Sequence, residues 1–144
     1  MKHRTVREIM SCIEVCQQPP EASVRDACRV MAEHRCGSVL VVEGGRLLGI
    51  FTERDAVERV FAREVDPNRT ALADVMTREP ETIGPHQSVD EAIRRMDEFG
   101  YRHIPVVEDG RVVGVMSTRD LSIEDLAAMH AELEARRTVA ERAW

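Results

Sequence analysis

Aromatic residues supply only 3% of the 144 residues, so any core must be filled by aliphatic side chains and methionine rather than by rings. Long apolar runs are missing as well: nothing approaches the roughly 20 residues that cross a bilayer. The start, Met-Lys-His-Arg-Thr-Val, has no apolar secretory core behind its charges, and the chain reads as cytoplasmic, with no membrane contact. A basic excess is also absent. Lys and Arg number 20 against 26 Asp and Glu, a net charge of −6, which argues against a nucleic-acid partner because such binding rests on neutralising several phosphates. A few locally placed arginines could still hold a small anion. The catalytic signatures are lacking too. There is no Gly-Lys-Ser/Thr phosphate loop, no His-Glu-x-x-His and no Gly-x-Ser-x-Gly elbow, and the histidines are scattered, so no enzyme is expected.

What is present is a duplication. Ser23 to Asp55 returns 65 positions later as Ser88 to Asp120, with about two fifths of the paired positions identical, so the fold is built from two copies of one supersecondary unit. Each copy, at about 60 residues, buries too little surface to stand comfortably alone. The two halves should share a core. The chain divides into repeat 1 (1–62), a polar linker holding Pro67-Asn68 (63–70), repeat 2 (71–127) and a helical tail (128–144).

The units read alike. Thr5-Val-Arg-Glu8 is a capping box that opens a short helix ending near Met10, and Leu72 to Met76 is its counterpart. Extended pieces follow at Ile13 to Cys16 and Glu81 to Ile83. Ser23 and Ser88, each with an acid three residues on, start amphipathic helices. The buried face of the second holds Val89, Ala92, Ile93, Met96 and Phe99 at three-to-four spacing, and that of the first holds Val24, Ala27, Cys28 and Met31. His34 stands where Phe99 stands and reads as a core-edge side chain. Two hairpins follow, turning at Gly44-Gly45 and Asp109-Gly110, and helices then start directly at Thr52 and Ser117. The predicted fold class is α+β: two β-α-β-β-α repeats packed sheet to sheet as one pseudo-twofold module. In the tail, Leu126, Met129, Leu133, Ala140 and Trp144 share one side and Glu132 precedes Arg136 by four residues, a packing surface for a second copy or a frayed end.

The pattern with chemical content is glycine, two apolar residues, a hydroxyl residue, two more, then aspartate. It occurs as Gly49-Ile-Phe-Thr52-Glu-Arg-Asp55 and as Gly114-Val-Met-Ser117-Thr-Arg-Asp120. Thr52 with Asp55 and Ser117 with Asp120 are capping boxes, and starting a helix could be their whole task. The junction of strand and helix also gathers unpaired amide hydrogens and the positive end of the helix dipole. Arg54 and Arg119 add a fork of donors suited to phosphate, and an ionised Asp55 or Asp120 accepts from a pair of sugar hydroxyls. Hydroxyl, arginine and carboxylate together would read a ribose phosphate.

With these junctions, the Glu-Ile-Met10 and Asp-Val-Met-Thr77 openings and the Tyr-Arg-His-Ile-Pro-Val-Val107 strand, the chain resembles a tandem pair of CBS (cystathionine-β-synthase) domains, a Bateman module, from about Val6 to Leu126. The resemblance implies α/β-type CBS repeats and clefts that bind adenosine-containing ligands: AMP first, with ADP, ATP, NAD or S-adenosylmethionine as alternatives, and no metal required. It assigns Asp55 and Asp120 to the ribose hydroxyls, Thr52 and Ser117 to sugar or phosphate, and Arg54 and Arg119 to the phosphate. Main-chain groups of Thr82 and Ile83 would read the adenine edge. Since Arg102, His103 and Pro105 replace Gly37, Ser38 and Leu40 of the first repeat, a single occupied cleft is expected to use Ser117, Arg119 and Asp120 with Arg102 or His103 nearby. The resemblance also implies a homodimer and a stand-alone regulator whose output passes to a separate, unidentified protein.

Two other readings stay open. The junctions could only cap helices in a structural dimerisation module. Cys12, Cys16 and Cys36 could form a zinc or thiol redox sensor. The positions matching Cys28 and Cys36 are Ile93 and Tyr101, however, which favours buried, reduced thiols.

Overall fold

A computed structural model describes residues 4–12 and 16–143. The caps read from the sequence start the helices where expected: the Ser23 hydroxyl accepts from the Asp26 amide and the Ser88 hydroxyl from the Glu91 amide, both at 3.1 Å. The first half runs α1 (Val6–Ile9), β1 (Ser11–Cys12), β2 (Gln17–Gln18), α2 (Val24–His34), β3 (Ser38–Glu43), β4 (Arg46–Thr52) and α3 (Glu53–Asp55), which continues as a π-helix over Ala56–Phe61. The second runs α4 (Leu72–Val75), β5 (Thr77–Arg78), α5 (Val89–Phe99), β6 (His103–Glu108), β7 (Arg111–Ser117), a 3-10 turn at Thr118–Asp120 and α6 (Ile123–Arg142). Both hairpins form around two consecutive residues with positive φ, Gly44 and Gly45 (59° and 79°) and Asp109 and Gly110 (51° and 76°), the geometry that matches the twist of the flanking strands.

The halves are joined by exchange. β5 pairs with β4 of the first half, giving a sheet ordered β2-β3-β4-β5, and β1 pairs with β7 of the second, giving β1-β7-β6. The helices beside those strands follow them. Leu72 is fully buried among Val24, Val39, Phe51 and Val60 of the first core, and Val6 among Ile83, Val89, Ile104 and Met116 of the second. The backbone repeats the symmetry: the Val6 amide donates to the Gln87 carbonyl at 2.8 Å and the Leu72 amide to the Ala22 carbonyl at 2.9 Å. Gly49 is needed where β5 crosses β4, since a Cβ there would lie 2.5 Å from the Met76 sulfur and 2.7 Å from the Thr77 carbonyl oxygen. A third cluster, Leu40 and Ile50 against Val112 and Val115, packs the two hairpins sheet to sheet.

Several expectations need correction. No α-helix starts at Ser117, because Ser122 and Asp125 form a capping box of their own; the chain makes one 3-10 turn, extends through buried Leu121 and restarts at Ile123. Of Glu81 to Ile83, only Ile83 pairs, in an isolated parallel bridge to Val106. Within Ile13 to Cys16, positions 13–15 lie outside the described residues. Cys16 and Cys36, read as reduced thiols, are joined as a disulfide with Cα atoms 6.8 Å apart. The Leu40 amide binds the Cys16 carbonyl and β2 pairs with β3 in parallel, which sets the chain after Cys16 beside the chain after Cys36. Cys28 is a free, half-buried thiol whose pKa burial pushes up. In the tail, Leu126 and Met129 pack on the second core, Arg136 pairs with Glu132 at 2.7 Å and with Asp97 at 3.6 Å, and Trp144 lies outside the described residues. No helix among the described residues is long and apolar enough to cross a membrane.

Candidate functional site

A cleft of about 620 Å³ opens between the halves, within the size range of small-molecule sites. The first repeat supplies Gly37 and the junction Thr52 to Asp55; the chain around β5 supplies Thr77 and Glu79 to Glu81; the second repeat supplies Gly100 to His103. The junction is held by its capping box: the Thr52 amide donates to the Asp55 Oδ2 at 3.0 Å and the Asp55 amide to the Thr52 Oγ1 at 3.2 Å. Asp55 is only 9% exposed, and its Oδ1 lies 3.5 Å from the Arg59 guanidinium. Arg54 reaches the cleft wall, yet its Nε donates to Glu58 at 2.9 Å, one helical turn on.

Arg102 and His103, placed by the sequence beside the Ser117 junction, face the Thr52 junction across this cleft. His103 also pairs with Ser117 in the hairpin register, so it stands between the two junctions. Its Nε2 lies 2.8 Å from where a Gly37 Cβ would be; the missing side chain makes room for the imidazole. Burial pushes the His103 pKa down, partly countered by Glu53.

Ser117, Arg119, Asp120, Thr82, Ile83 and Pro105 do not line this cleft. The second junction is nonetheless formed, the Ser117 amide donating to the Asp120 Oδ2 at 2.7 Å. Arg119 crosses to the first repeat, donating to the Arg35 carbonyl at 3.2 Å. The amide and carbonyl of Ile83 are both spent on β6, with Pro105 and Val107, and the Thr82 carbonyl accepts from Arg95 at 2.6 Å. Thr82 lines a smaller hollow of about 230 Å³ near Gly110.

Sequence reasoning missed Glu53, Glu79, Pro80, Glu81 and Tyr101. Tyr101 stacks on Phe99, ring centroids 5.8 Å apart. Its hydroxyl is buried with no hydrogen-bond partner among the described residues, and its pKa is pushed up to about 12 by burial first and by Glu81 second. The available signal was adjacency, because Tyr101 and Glu81 each sit one or two residues from positions already singled out. Among the described residues no cluster of three or more His, Cys, Asp or Glu is placed to hold a metal ion.

Two interlocked α+β repeats with a cleft at their seam define a pseudo-twofold module. The chain belongs to the CBS domain family, whose model matches residues 19–62 and 72–125, and its fold is that of the Bateman module. An Arabidopsis thaliana CBS domain-containing protein, CBSCBSPB5, is 30% identical over 95% of this chain, which spans 25% of that protein's length. A CBS domain protein from Pyrobaculum aerophilum complexed with AMP superposes with a TM-score of 0.78 at 26% identity, covering 92% of this chain and 99% of that one. The CBS domain pair of protein MJ0100, in complex with 5′-methylthioadenosine and S-adenosylmethionine, gives 0.73 at 26% identity over 82% and 92%.

Proposed function

We propose that this CBS pair is a regulatory module that binds an adenosine-containing ligand in the inter-repeat cleft and passes the bound state to a partner protein in the cytoplasm. One observation carries the reading: a buried carboxylate, Asp55, at a strand-to-helix corner, opens onto a cleft whose opposite wall belongs to the other repeat. A ligand held by both walls favours one relative arrangement of the repeats, and a partner reads that population shift. Asp55 takes the ribose hydroxyls, with Thr52, Arg102 and His103 alongside the sugar and its 5′ substituent. The complexes of the two relatives with adenosine compounds support this choice of ligand. No catalytic step is proposed.

Thermal unfolding with AMP, ADP, ATP, NAD and S-adenosylmethionine tests it. A ligand at about 100 times its Kd should stabilise the fold by about 2.7 kcal/mol, a shift of several degrees at this chain length. No shift with any of them would sink the reading.

The second reading, a structural dimerisation module, draws on Val57 and Phe61, 61% and 72% exposed one turn apart on the π-helix, and on Ile123 and Val139 of α6, 86% and 69% exposed. Light scattering across a concentration series separates a homodimer from a monomer.

A further inference from the structure

Taking the adenosine cleft as the site, we infer that it selects ligands whose 5′ substituent is uncharged or cationic and discriminates against phosphates. The lining carries four carboxylates, Glu53, Asp55, Glu79 and Glu81, against two guanidiniums, Arg54 and Arg102. Arg54 is paired with Glu58 at 2.9 Å, so those two charges cancel and leave the lining no free cation at that junction. Arg119, the other arginine of a junction, is not part of the lining; it donates to the Arg35 carbonyl and lies 4.0 Å from Glu53, whose charge it partly offsets. His103 adds no fixed positive charge at neutral pH, because burial lowers its pKa. With Asp55 assigned to the ribose and Glu53 set against Arg119, the exposed Glu79 and Glu81 of the lining have no ion-pair partner among the described residues.

A phosphate of charge near −2 placed among them meets repulsion that one unengaged arginine, Arg102, does not offset, whereas a sulfonium is attracted. The chain's net charge of −6 adds to the same sign. The expected order of affinity is S-adenosylmethionine, then 5′-methylthioadenosine, then AMP, with ADP and ATP weaker still. That order departs from the sequence expectation of AMP.

Calorimetric titration of the full chain with S-adenosylmethionine, 5′-methylthioadenosine, AMP and ATP, each at low and high salt, tests it. We expect methylthioadenosine to bind on the order of tenfold tighter than AMP at about 50 mM salt. Raising the salt should tighten AMP and weaken S-adenosylmethionine, since screening relaxes both repulsion and attraction. A Glu79→Gln/Glu81→Gln double variant, both side chains being exposed, should move the AMP-to-methylthioadenosine affinity ratio toward AMP. AMP binding as tightly as methylthioadenosine, or weakening with salt, overturns the charge inference and leaves the adenosine site standing. An unchanged ratio in the double variant overturns it too. If none of the four compounds binds, the site itself falls, and the inference with it.

Discussion

The two junctions are written in one grammar and end differently. Both fold the same capping box, hydroxyl residue to aspartate, with the cap amide held by the carboxylate. After Asp55 the chain stays helical, so Glu58 arrives one turn later and takes Arg54 at i,i+4. After Asp120 the helix stops at Leu121 and position 123 is an isoleucine, so Arg119 finds no partner on its own helix and reaches across to the first repeat, to the Arg35 carbonyl at 3.2 Å and toward Glu53 at 4.0 Å. The opposing walls differ as well. Gly100, Tyr101, Arg102 and His103 face the first junction, while the matching stretch of the first repeat is Arg35, Cys36, Gly37 and Ser38. A capping box alone therefore does not line the cleft; the residues that the other repeat lays against it decide which junction does.

The comparison is tested hardest where the halves interlock. Leu72→Ala empties a fully buried place in the first core, and about 3 kcal/mol of stability should be lost. Val6→Ala, the equivalent loss in the second core, removes less volume and should cost about 2 kcal/mol. Because each opening helix plugs the other half's core, chemical denaturation of both variants should still show one cooperative transition. Two separate transitions would mean that the exchange does not couple the halves.

Next in size is the contrast between aspartates. Asp55→Asn keeps an oxygen for the Thr52 amide and removes the charge that would face ribose hydroxyls, so nucleoside affinity should fall by roughly 10-fold to 100-fold, the worth of a hydrogen bond to a charged group. Asp120→Asn should change affinity much less, since Asp120 does not line the cleft. Equal losses in calorimetry would put a ligand at both junctions. A loss confined to Asp120→Asn would restore the sequence's preference for the second one.

How far the sequence reached follows from what each feature depends on. Hairpin turns and helix caps are local, so Gly44-Gly45, Asp109-Gly110, Ser23 and Ser88 could be placed by inspection. The exchange could not, because Val6 and Leu72 show the same apolar pattern whichever core they enter, and only tertiary packing chooses. The stop at Leu121 is local too, set by the box of Ser122 and Asp125 that follows it, but the capping pattern at Ser117 points to a helix begun one turn earlier. In the site, Thr52, Arg54, Asp55, Arg102 and His103 meet in the cleft. Glu79 to Glu81 come from an irregular segment with no motif. The disulfide was hidden because the matching positions in the second repeat, Ile93 and Tyr101, describe the surroundings of Cys28 and Cys36 and say nothing of Cys16.

The smallest expected effect belongs to a cleft residue paired in register with Ser117 of the second junction. His103 is held with a lowered pKa by burial, with Glu53 and Asp120 pulling upward and Arg119 and Arg102 pulling downward. A lowered folded value means that the unfolded chain binds the proton more readily below its own value of 6.5, so stability rises with pH in that range. The His103 contribution is complete above pH 6.5 and drains away on acidification toward the folded pKa. Denaturant titrations from pH 7.5 to about pH 5 should therefore show stability declining, and His103→Gln should flatten the decline. Glu91 and Asp125 do not confuse this window. Arginine partners hold both at about 2, so their contributions are lost only as the pH falls from their ordinary values of 4.5 and 3.8 toward 2. If the slope between pH 7.5 and 5 survives in His103→Gln, the imidazole is not the group that couples the two corners to acid, and its place against Gly37 is a matter of packing alone.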